Sequence, residues 1–228
     1  TISRALVLGN GIPELETVAT ESFETLLSTA WTTSSSLPGG RIRVSSSKGG
    51  ASGSAALLMD TTAGTLTLNE AIWTVDLSGT TSAELEFSQA EWNDEETPFQ
   101  GDFAGSVVAD GVAISADGVH WHPVLSLPQQ INGTWVRYTI DLAAAATMAG
   151  FAMGPNFHIK FQQYDDFALD TDGRAFDGIT LRTGDADDWY QLSLSDGELL
   201  SAALDADDVA SRSELELYDG NVSSLAWG

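Results

Sequence analysis

The stretch DGVAISADGVHW, residues 110–121, is the segment that decides the fold of this chain. A short apolar run, Val112–Ala116, is typical of a β-strand. A tight turn follows at Asp117-Gly118, because an aspartate side chain caps such a turn and glycine adopts a positive φ. Trp121 comes three residues after the glycine, where it packs back under the hairpin. The stretch therefore predicts a β-hairpin in which the turn residues have a structural task.

Short apolar or alternating runs of this kind recur along the chain and are broken by Gly, Ser, Asp and Asn. Ala83–Phe87 and Trp135–Ile140 alternate at period two and contain many aromatic and β-branched residues. Many short strands with turn residues between them predict an all-β fold, a jelly-roll β-sandwich. Leu142–Gly150 has strong helix formers and ends in glycine, so we expect one short helix or turn there.

Two changes in composition divide the 228 residues. Residues 1–17 contain glycine, asparagine and proline ahead of the first aromatic residue, and we expect a lead-in or linker. An acidic turn at 183–188 ends the main body, which predicts a jelly-roll domain at 18–182. The remaining residues, 183–228, are too few for a typical independent domain and are predicted to form part of a second small β-sandwich.

The charge of the chain limits its partners. Thirty-three acidic residues stand against nine basic ones, a net charge of −24. Such a surface repels nucleic-acid phosphates and anionic lipid heads, so we expect no nucleic-acid partner. No run of 18 apolar residues occurs, which predicts no membrane insertion. Self-repulsion on this scale calls for divalent cations or high ionic strength, and we expect an extracellular or cell-surface location.

Oxygen-bearing side chains concentrate in two acidic stretches, and Ca²⁺ prefers six to eight oxygen ligands. We therefore predict one or more Ca²⁺ sites, the alternative being solvated acidic loops. The segment DTDG at 170–173 matches part of an EF-hand loop, but Ala168 and Ile179 stand where its first and twelfth ligands belong. The candidate ligands in the two stretches are Glu91, Asp94, Asp102 and Asp110, followed by Asp165, Asp166, Asp170, Asp172 and Asp177.

The 110–121 hairpin resembles the Asp-box turn of β-propellers and reelin repeats, although it is one residue shorter than the usual Ser-x-Asp-x-Gly-x-Thr-Trp. The likeness to reelin-type jelly-roll subrepeats extends to the acidic segment 90–96 and to the segments 159–166 and 174–181. ESFE at 21–24 looks like the first strand of that fold and of the related MAM domains. The resemblance covers about residues 18–182 and implies the same jelly-roll architecture.

In reelin-like and MAM-like folds, calcium joins the first strand to the last. The resemblance therefore implies that Glu21 or Glu24 shares a Ca²⁺ ion with Asp177, and Asp60 is a further candidate ligand.

The end of the chain has a resemblance of its own. DDWYQLSLSDGELL at 187–200 and ELELYDG at 214–220 are similar to the opening of bacterial pre-peptidase C-terminal (PPC) domains. Those are small β-sandwich accessory domains of secreted enzymes and surface proteins. The chain covers their first half, so we expect either truncation or completion of the sheet by a partner strand.

Catalytic motifs are absent from the sequence: it has no Gly-x-Ser-x-Gly elbow, His-Glu-x-x-His helix, phosphate loop or dinucleotide fingerprint. We therefore predict a protein that is not an enzyme. A carboxylate-based lyase or hydrolase stays open as an alternative, because its carboxylate spacing is spatial. His120 and His122 share one face of a strand and would suit zinc, but no third ligand is evident.

These observations predict a non-enzymatic, calcium-binding structural or adhesive module of a large bacterial cell-surface or secreted multidomain protein. Its partners would be neighbouring domains or copies of the same assembly. The alternative is a carbohydrate-binding module of a secreted polysaccharide-active enzyme. Exposed aromatic rings stack on sugars while polar groups bind the hydroxyls, which makes Trp92, Tyr164 and Gln162 candidates. Trp121 and Trp135 are expected in the core.

Overall fold

A computed structural model of the chain describes residues 15–62, 64–166, 169, 171–185, 216–218 and 224–227. The chain divides into two compact units, residues 1–188 and 189–228. In its described part, the first unit consists of β-strands and one short helix, α1 (Leu142–Ala149). In chain order its strands are β1 (Glu16–Glu21), β2 (Trp31–Ser35), β3 (Gly40–Ser45), β4 (Ala56–Thr61), β5 (Thr67–Val75), β6 (Thr80–Glu91), β7 (Phe103–Ala104), β8 (Gly111–Ser115), β9 (His120–Ser126), β10 (Val136–Asp141), β11 (Phe157–Asp165) and β12 (Arg174–Asp185).

The strands form two antiparallel sheets. Sheet A has the order β10-β6-β12-β4-β3, and β1 pairs with the second half of β12. Sheet B has the order β2-β5-β11-β8-β9-β7. The chain crosses repeatedly from one sheet to the other, for example from β4 to β5, from β5 to β6 and from β11 to β12, whereas β3–β4 and β8–β9 pair within one sheet. The prediction of an all-β jelly-roll sandwich is confirmed.

The core lies between the two sheets and is built from every second residue of their strands. Phe161 of sheet B is fully buried at its centre. Its ring centroid lies 5.4 Å from that of Phe87 and 5.2 Å from that of Phe176, both of sheet A. Trp31 and Trp73, both of sheet B, stack with their ring centroids 5.6 Å apart. The period-two patterns of the sequence place these rings inward.

The predicted short helix is confirmed, and its ends show why it forms. The Asp141 carboxylate accepts a hydrogen bond from the Ala144 backbone N–H, which is the usual N-cap arrangement. At the other end Gly150 has φ 80° and its N–H reaches the carbonyls of Ala146 and Thr147. Among the described residues, no helix is long and apolar enough to cross a membrane.

The 110–121 hairpin forms as predicted, from β8 and β9. Asp117 accepts hydrogen bonds from the backbone N–H groups of Val119 and His120 at 2.8 Å each, and Gly118 has φ 71°. Trp121 is buried, but it pairs with Phe103 of β7 on the outer face of sheet B rather than facing sheet A. Trp135, also expected in the core, is half-buried on the outer face of sheet A.

The two predicted domain borders fall close to strand ends. β1 begins at Glu16, inside the segment expected to be a lead-in, and β12 continues to Asp185, past the expected border at 182. In the second unit the structure describes an antiparallel pair, β13 (Glu216–Tyr218) with β14 (Ser224–Trp227). The partial second sandwich and its likeness to PPC domains stay predictions.

Truncating the central ring should test this account of the core. Phe161→Ala removes a fully buried ring in contact with three others, so we expect the free energy of unfolding to fall by about 3–5 kcal/mol. Met148→Ala is the control, since that side chain is 89% exposed and should change stability by less than about 0.5 kcal/mol. Urea unfolding measures both, and equal losses would contradict the assigned core.

Candidate functional site

The loop of residues 46–55, which joins β3 to β4, is held by a carboxylate from the start of the domain. Phe23 has φ 53° and is fully buried, so the chain turns sharply there and brings Glu24 to the loop. Glu24 Oε1 accepts hydrogen bonds from the backbone N–H groups of Ser54 at 2.8 Å and Ala55 at 2.9 Å. The Ala55 N–H, with the two groups of Ser54, lowers the pKa of Glu24, so this side chain is ionised at neutral pH.

A second carboxylate, from the last strand of the domain, holds the same loop. Asp177 of β12 is fully buried, and its Oδ2 accepts a hydrogen bond from the Ser52 backbone N–H at 2.8 Å. Its Oδ1 accepts one from the N–H of Gly178, whose φ is 60°. The regular pairing of β12 with β6 shifts just after Asp177. One loop thus connects the segment after β1 to the middle of β12. We call this arrangement the loop clamp: Glu24, residues 50–55 and Asp177.

Inside the loop clamp, several oxygen atoms converge beside Gly50. A Cβ at Gly50 would lie 2.4 Å from the Ser52 carbonyl oxygen, 2.7 Å from the Ala55 carbonyl oxygen and 3.0 Å from Asp177 Oδ2. No carbon atom tolerates such distances, which explains the glycine. That Cβ position is one C–C bond from Gly50 Cα, so the distances show how tightly the loop folds and do not mark the position of an ion. Two carbonyls and a carboxylate are nevertheless oxygen ligands of the kind that Ca²⁺ prefers, and they border the loop that Glu24 also holds.

The other two ligands implied by the resemblance are placed differently. The Glu21 carboxylate accepts a hydrogen bond from the Phe23 backbone N–H at 3.3 Å, so it supports the turn that precedes Glu24. Asp60 is buried on the outer face of sheet A between Arg41 and Arg43, whose guanidinium nitrogens approach its oxygens to 2.6 Å. Its charge is thus balanced by two cations.

The two acidic stretches of the sequence meet at one end of the sandwich, where the layer between the sheets turns from apolar to polar. Asp94 lies 2.5 Å from Arg174 Nε and accepts a hydrogen bond from Gln163 Nε2 at 2.7 Å. Asp110 accepts hydrogen bonds from the backbone N–H groups of Thr97 and Tyr164 and lies 3.7 Å from Arg174 Nε. We call the buried members of this region the polar end layer: Glu91, Asp94, Asp110, Gln163, Asp165, Asp172 and Arg174.

Burial controls the ionisation of this layer. Desolvation raises the pKa of Asp94 well above its usual range, against the attraction of Arg174. It also raises the pKa of Asp110 to about 7, again against Arg174. Desolvation raises the pKa of nearby Glu95, and the charges of Asp166 and Asp172 add to that shift. The layer therefore concentrates carboxyl groups around one buried guanidinium.

The remaining predicted ligands are spread out. Asp166 is exposed, and Asp170 lies outside the described residues. Asp102 pairs with His122 Nδ1 at 2.9 Å beside a groove of about 520 Å³ between β9, β10 and α1. His120, the second histidine of the suggested zinc pair, contacts Asp117 instead. Within the described ranges, no three His, Asp or Glu side chains form a metal-binding group by themselves.

The three candidate sugar-binding residues have unequal access to solvent. Gln162 is fully buried, and its Nε2 donates to the carbonyls of Val107 and Ala109. Tyr164 is half-buried at the end of β11. Trp92 is half-buried on the outer face of sheet A, where its ring meets that of Trp135.

Sequence reasoning missed the lysine that fixes the outer face of sheet B. Lys160 is 1% exposed and donates hydrogen bonds from Nζ to Glu70 Oε1 at 2.6 Å and to the Gly105 carbonyl at 2.9 Å. The same nitrogen lies 4.0 Å from the centroid of the Trp121 ring. These contacts hold residues 97–110 over the sheet. In the sequence, Lys160 stands between Ile159 and Phe161 in a predicted strand. That pattern does not reveal which loop covers the outer face of sheet B.

Comparisons with known proteins give fold-level similarities. No family model matches the chain, and no curated protein matches it. The CBM22-1 xylan-binding domain of Xyn10C from Paenibacillus barcinonensis is 14% identical and has a TM-score of 0.46, over 78% of this chain and 100% of that one. The K3 cleaved adhesin domain of Lys-gingipain from Porphyromonas gingivalis is 14% identical with a TM-score of 0.45, over 75% and 100%.

A third similar structure is the family 11 carbohydrate-binding module from Clostridium thermocellum, in complex with a β-1,3-1,4-mixed-linked tetrasaccharide. It is 14% identical with a TM-score of 0.42, over 73% of this chain and 94% of that one. All three TM-scores are below 0.5. The resemblance to reelin repeats and MAM domains stays a prediction.

The polar end layer should make stability depend on pH. Unfolded Asp110 loses its proton near pH 3.8, whereas the folded state holds it until about 7. Between those values the folded state binds more protons, so the free energy of unfolding should fall as the pH rises. Urea unfolding in EDTA from about pH 4 to 8 measures this fall, which Asp110→Asn should reduce. Asp76→Asn, which removes a carboxylate at an exposed turn, should leave this fall unchanged. A free energy of unfolding that rises with pH over this range would contradict the raised pKa of Asp110.

Proposed function

We propose that residues 15–185 form a non-catalytic, calcium-dependent structural module of an extracellular or cell-surface assembly. The loop clamp supports the proposal most directly, since the buried Asp177 carboxylate and the carbonyl oxygens of Ser52 and Ala55 border the same loop residue, Gly50. Glu24 holds the same loop and brings a second negative charge to it. A divalent cation there would be held by two carboxylates and the carbonyls of Ser52 and Ala55.

The chemistry that Ca²⁺ supplies is the joining of oxygen ligands from segments that are far apart in the chain. Glu24 precedes the loop by about 30 residues, and Asp177 follows it by 125 (Ser52 to Asp177). An ion bound between them would link the start of the domain to its last strand, which suits a module that transmits force between neighbours. The net charge of −24 also favours an environment that contains divalent cations.

Thermal unfolding at fixed ionic strength tests the calcium site. For a dissociation constant of about 0.1–1 mM, CaCl₂ at about 10 mM should stabilise the fold by roughly 1.4–2.7 kcal/mol relative to EDTA. That corresponds to a rise in Tm of roughly 3–10 °C for a domain of this size. MgCl₂ at the same concentration should give a smaller rise, because Mg²⁺ demands shorter bonds and tighter geometry.

Variants assign the effect to the loop clamp. Glu24→Gln and Asp177→Asn keep a hydrogen-bond acceptor but lose a charge, so each should largely remove the rise produced by CaCl₂. Asp76→Asn, which removes a carboxylate from an exposed turn, should keep it. No rise with the parent chain, or an equal rise with MgCl₂, would exclude a specific calcium site.

A second candidate function is carbohydrate binding, and one observation favours it. Trp92 and Trp135 are both half-buried and pack over Ala56, Leu58 and Ala175 on the outer face of sheet A. Half-exposed tryptophans on a polar sheet face are suited to stacking on sugar rings. The outer face of sheet B is covered by residues 97–110, so its Trp121 is 1% exposed. Affinity electrophoresis in gels containing polysaccharide tests this candidate, with retardation expected.

A further inference from the structure

The lysine and arginine side chains of this acidic chain are unevenly distributed. Seven of the nine basic residues lie in the described part of the chain, and two of these seven, Lys160 and Arg174, are buried. The other five all lie on the outer face of sheet A or on the loop that borders it: Arg41, Arg43, Lys48, Arg137 and Arg182. We call this surface the basic face.

Strand alternation fixes the direction of these side chains. On β3, Ile42 and Val44 pack against the core, so Arg41 and Arg43 point away from it. The same argument applies to Arg137, which precedes the core-packed Tyr138 on β10. Arg182 follows the buried Leu181 on β12 and pairs with Glu84 at 2.9 Å. These four arginines therefore share one face of sheet A, with β10 and β3 at opposite ends of its strand order.

The basic face has nearly balanced charge, whereas the whole chain carries −24. The carboxylates on this face and its bordering loop include Asp60, Glu84, Glu86, Asp141, Asp177 and Glu24. Five cations against these six anions leave this surface close to neutral, and most of the acidic excess belongs to other parts of the molecule. Among the described residues, no carboxylate lies within 4 Å of Lys48 Nζ, which instead donates to the Thr171 carbonyl at 2.9 Å. An anion approaching the protein is therefore repelled least here.

The two tryptophans lie on this same surface. The ring centroids of Trp92 and Trp135 are 6.1 Å apart with an interplanar angle of 81°, so the rings form a corner. Lys48 Nζ lies 5.2 Å from the centroid of Trp92. Arg43 is paired in register with Leu58, one of the residues beneath the tryptophans. Aromatic faces and cationic groups are thus immediate neighbours.

We propose that the basic face binds an anionic polysaccharide, one that carries uronate carboxylates or sulfate groups. The tryptophan corner supplies apolar contact to sugar rings, while Lys48 and the arginines bind the charged substituents. Lys48 favours this ligand over a neutral one, because its ammonium lies beside Trp92, contacts no carboxylate of the described residues and gives a neutral glycan no charge attraction. The proposal rests on the carbohydrate-binding candidate function and names its ligand class.

Affinity electrophoresis and titration calorimetry with the whole chain test the proposal. Polygalacturonate probes carboxylate recognition, dextran sulfate probes sulfate recognition, and xylan serves as the neutral probe. We expect binding to at least one anionic polymer, at least about tenfold tighter than to xylan, and weakening as NaCl is raised from about 50 to 300 mM. Either anionic polymer supports the proposal, and the better one identifies the charged group.

Charge variants connect binding to the basic face. Lys48→Gln combined with Arg137→Gln should weaken binding at least about tenfold, with Tm unchanged within about 2 °C because both side chains are at the surface. Lys48→Arg is the matched control and should retain binding, since it keeps the charge. Trp92→Ala and Trp135→Ala should each weaken binding, and circular dichroism checks that both variants fold.

Three outcomes would overturn the proposal, and they separate it from the function on which it rests. Equal binding of xylan and the anionic polymers would leave carbohydrate binding intact but refute the anionic ligand. No binding of any polymer would refute both. Salt-sensitive self-association in analytical ultracentrifugation that Lys48→Gln abolishes would assign the basic face to a second, acidic copy of this chain. The calcium site is judged separately by its own Tm shift.

Discussion

The Arg174 guanidinium, buried between Asp94 and Asp110, is the interaction on which one whole end of the sandwich depends. It is the only lysine or arginine among the described residues of the polar end layer, where carboxyl groups from β6, β11 and β12 and their loops meet. Its remaining nitrogens donate to the carbonyls of Glu95 and Pro128, so the same side chain also fixes two connecting loops. Removing such a partner from buried carboxyl groups costs far more than a surface ion pair contributes.

A second buried cation organises the outer face of sheet B. Lys160, bonded to Glu70 and to the carbonyl of Gly105, closes residues 97–110 over Trp121. The Trp121 ring is therefore buried and is not accessible to a ligand. The other large sheet face remains open, and it carries both half-exposed tryptophans and the surface cations. The two faces of this sandwich therefore differ in chemistry, and the candidate binding surface lies on sheet A for that reason.

The loop clamp connects these parts to the ends of the domain. Glu24 and Asp177 hold a loop rich in glycine and serine, whose backbone can bring two carbonyls and a carboxylate close to Gly50 because that residue has no side chain in the way. A cation bound by this loop would balance charge and tie the first segment to the last strand.

The sequence by itself determined the fold class, the hairpin at 110–121 and the short helix, because period-two alternation, Asp-Gly turns and capping residues act locally. A calcium link between Glu21 or Glu24 and Asp177 was implied only by the resemblance to reelin-like and MAM-like folds, and it stays a prediction. It did not determine where Trp121 and Trp135 lie, since both are compatible with either face of a strand until the covering loop is known. Nor did it show that seven basic residues divide into two buried anchors and five surface groups on one face. Strand order and register decide those positions, and they depend on contacts between residues far apart in the chain. Only the tertiary structure brings such residues together.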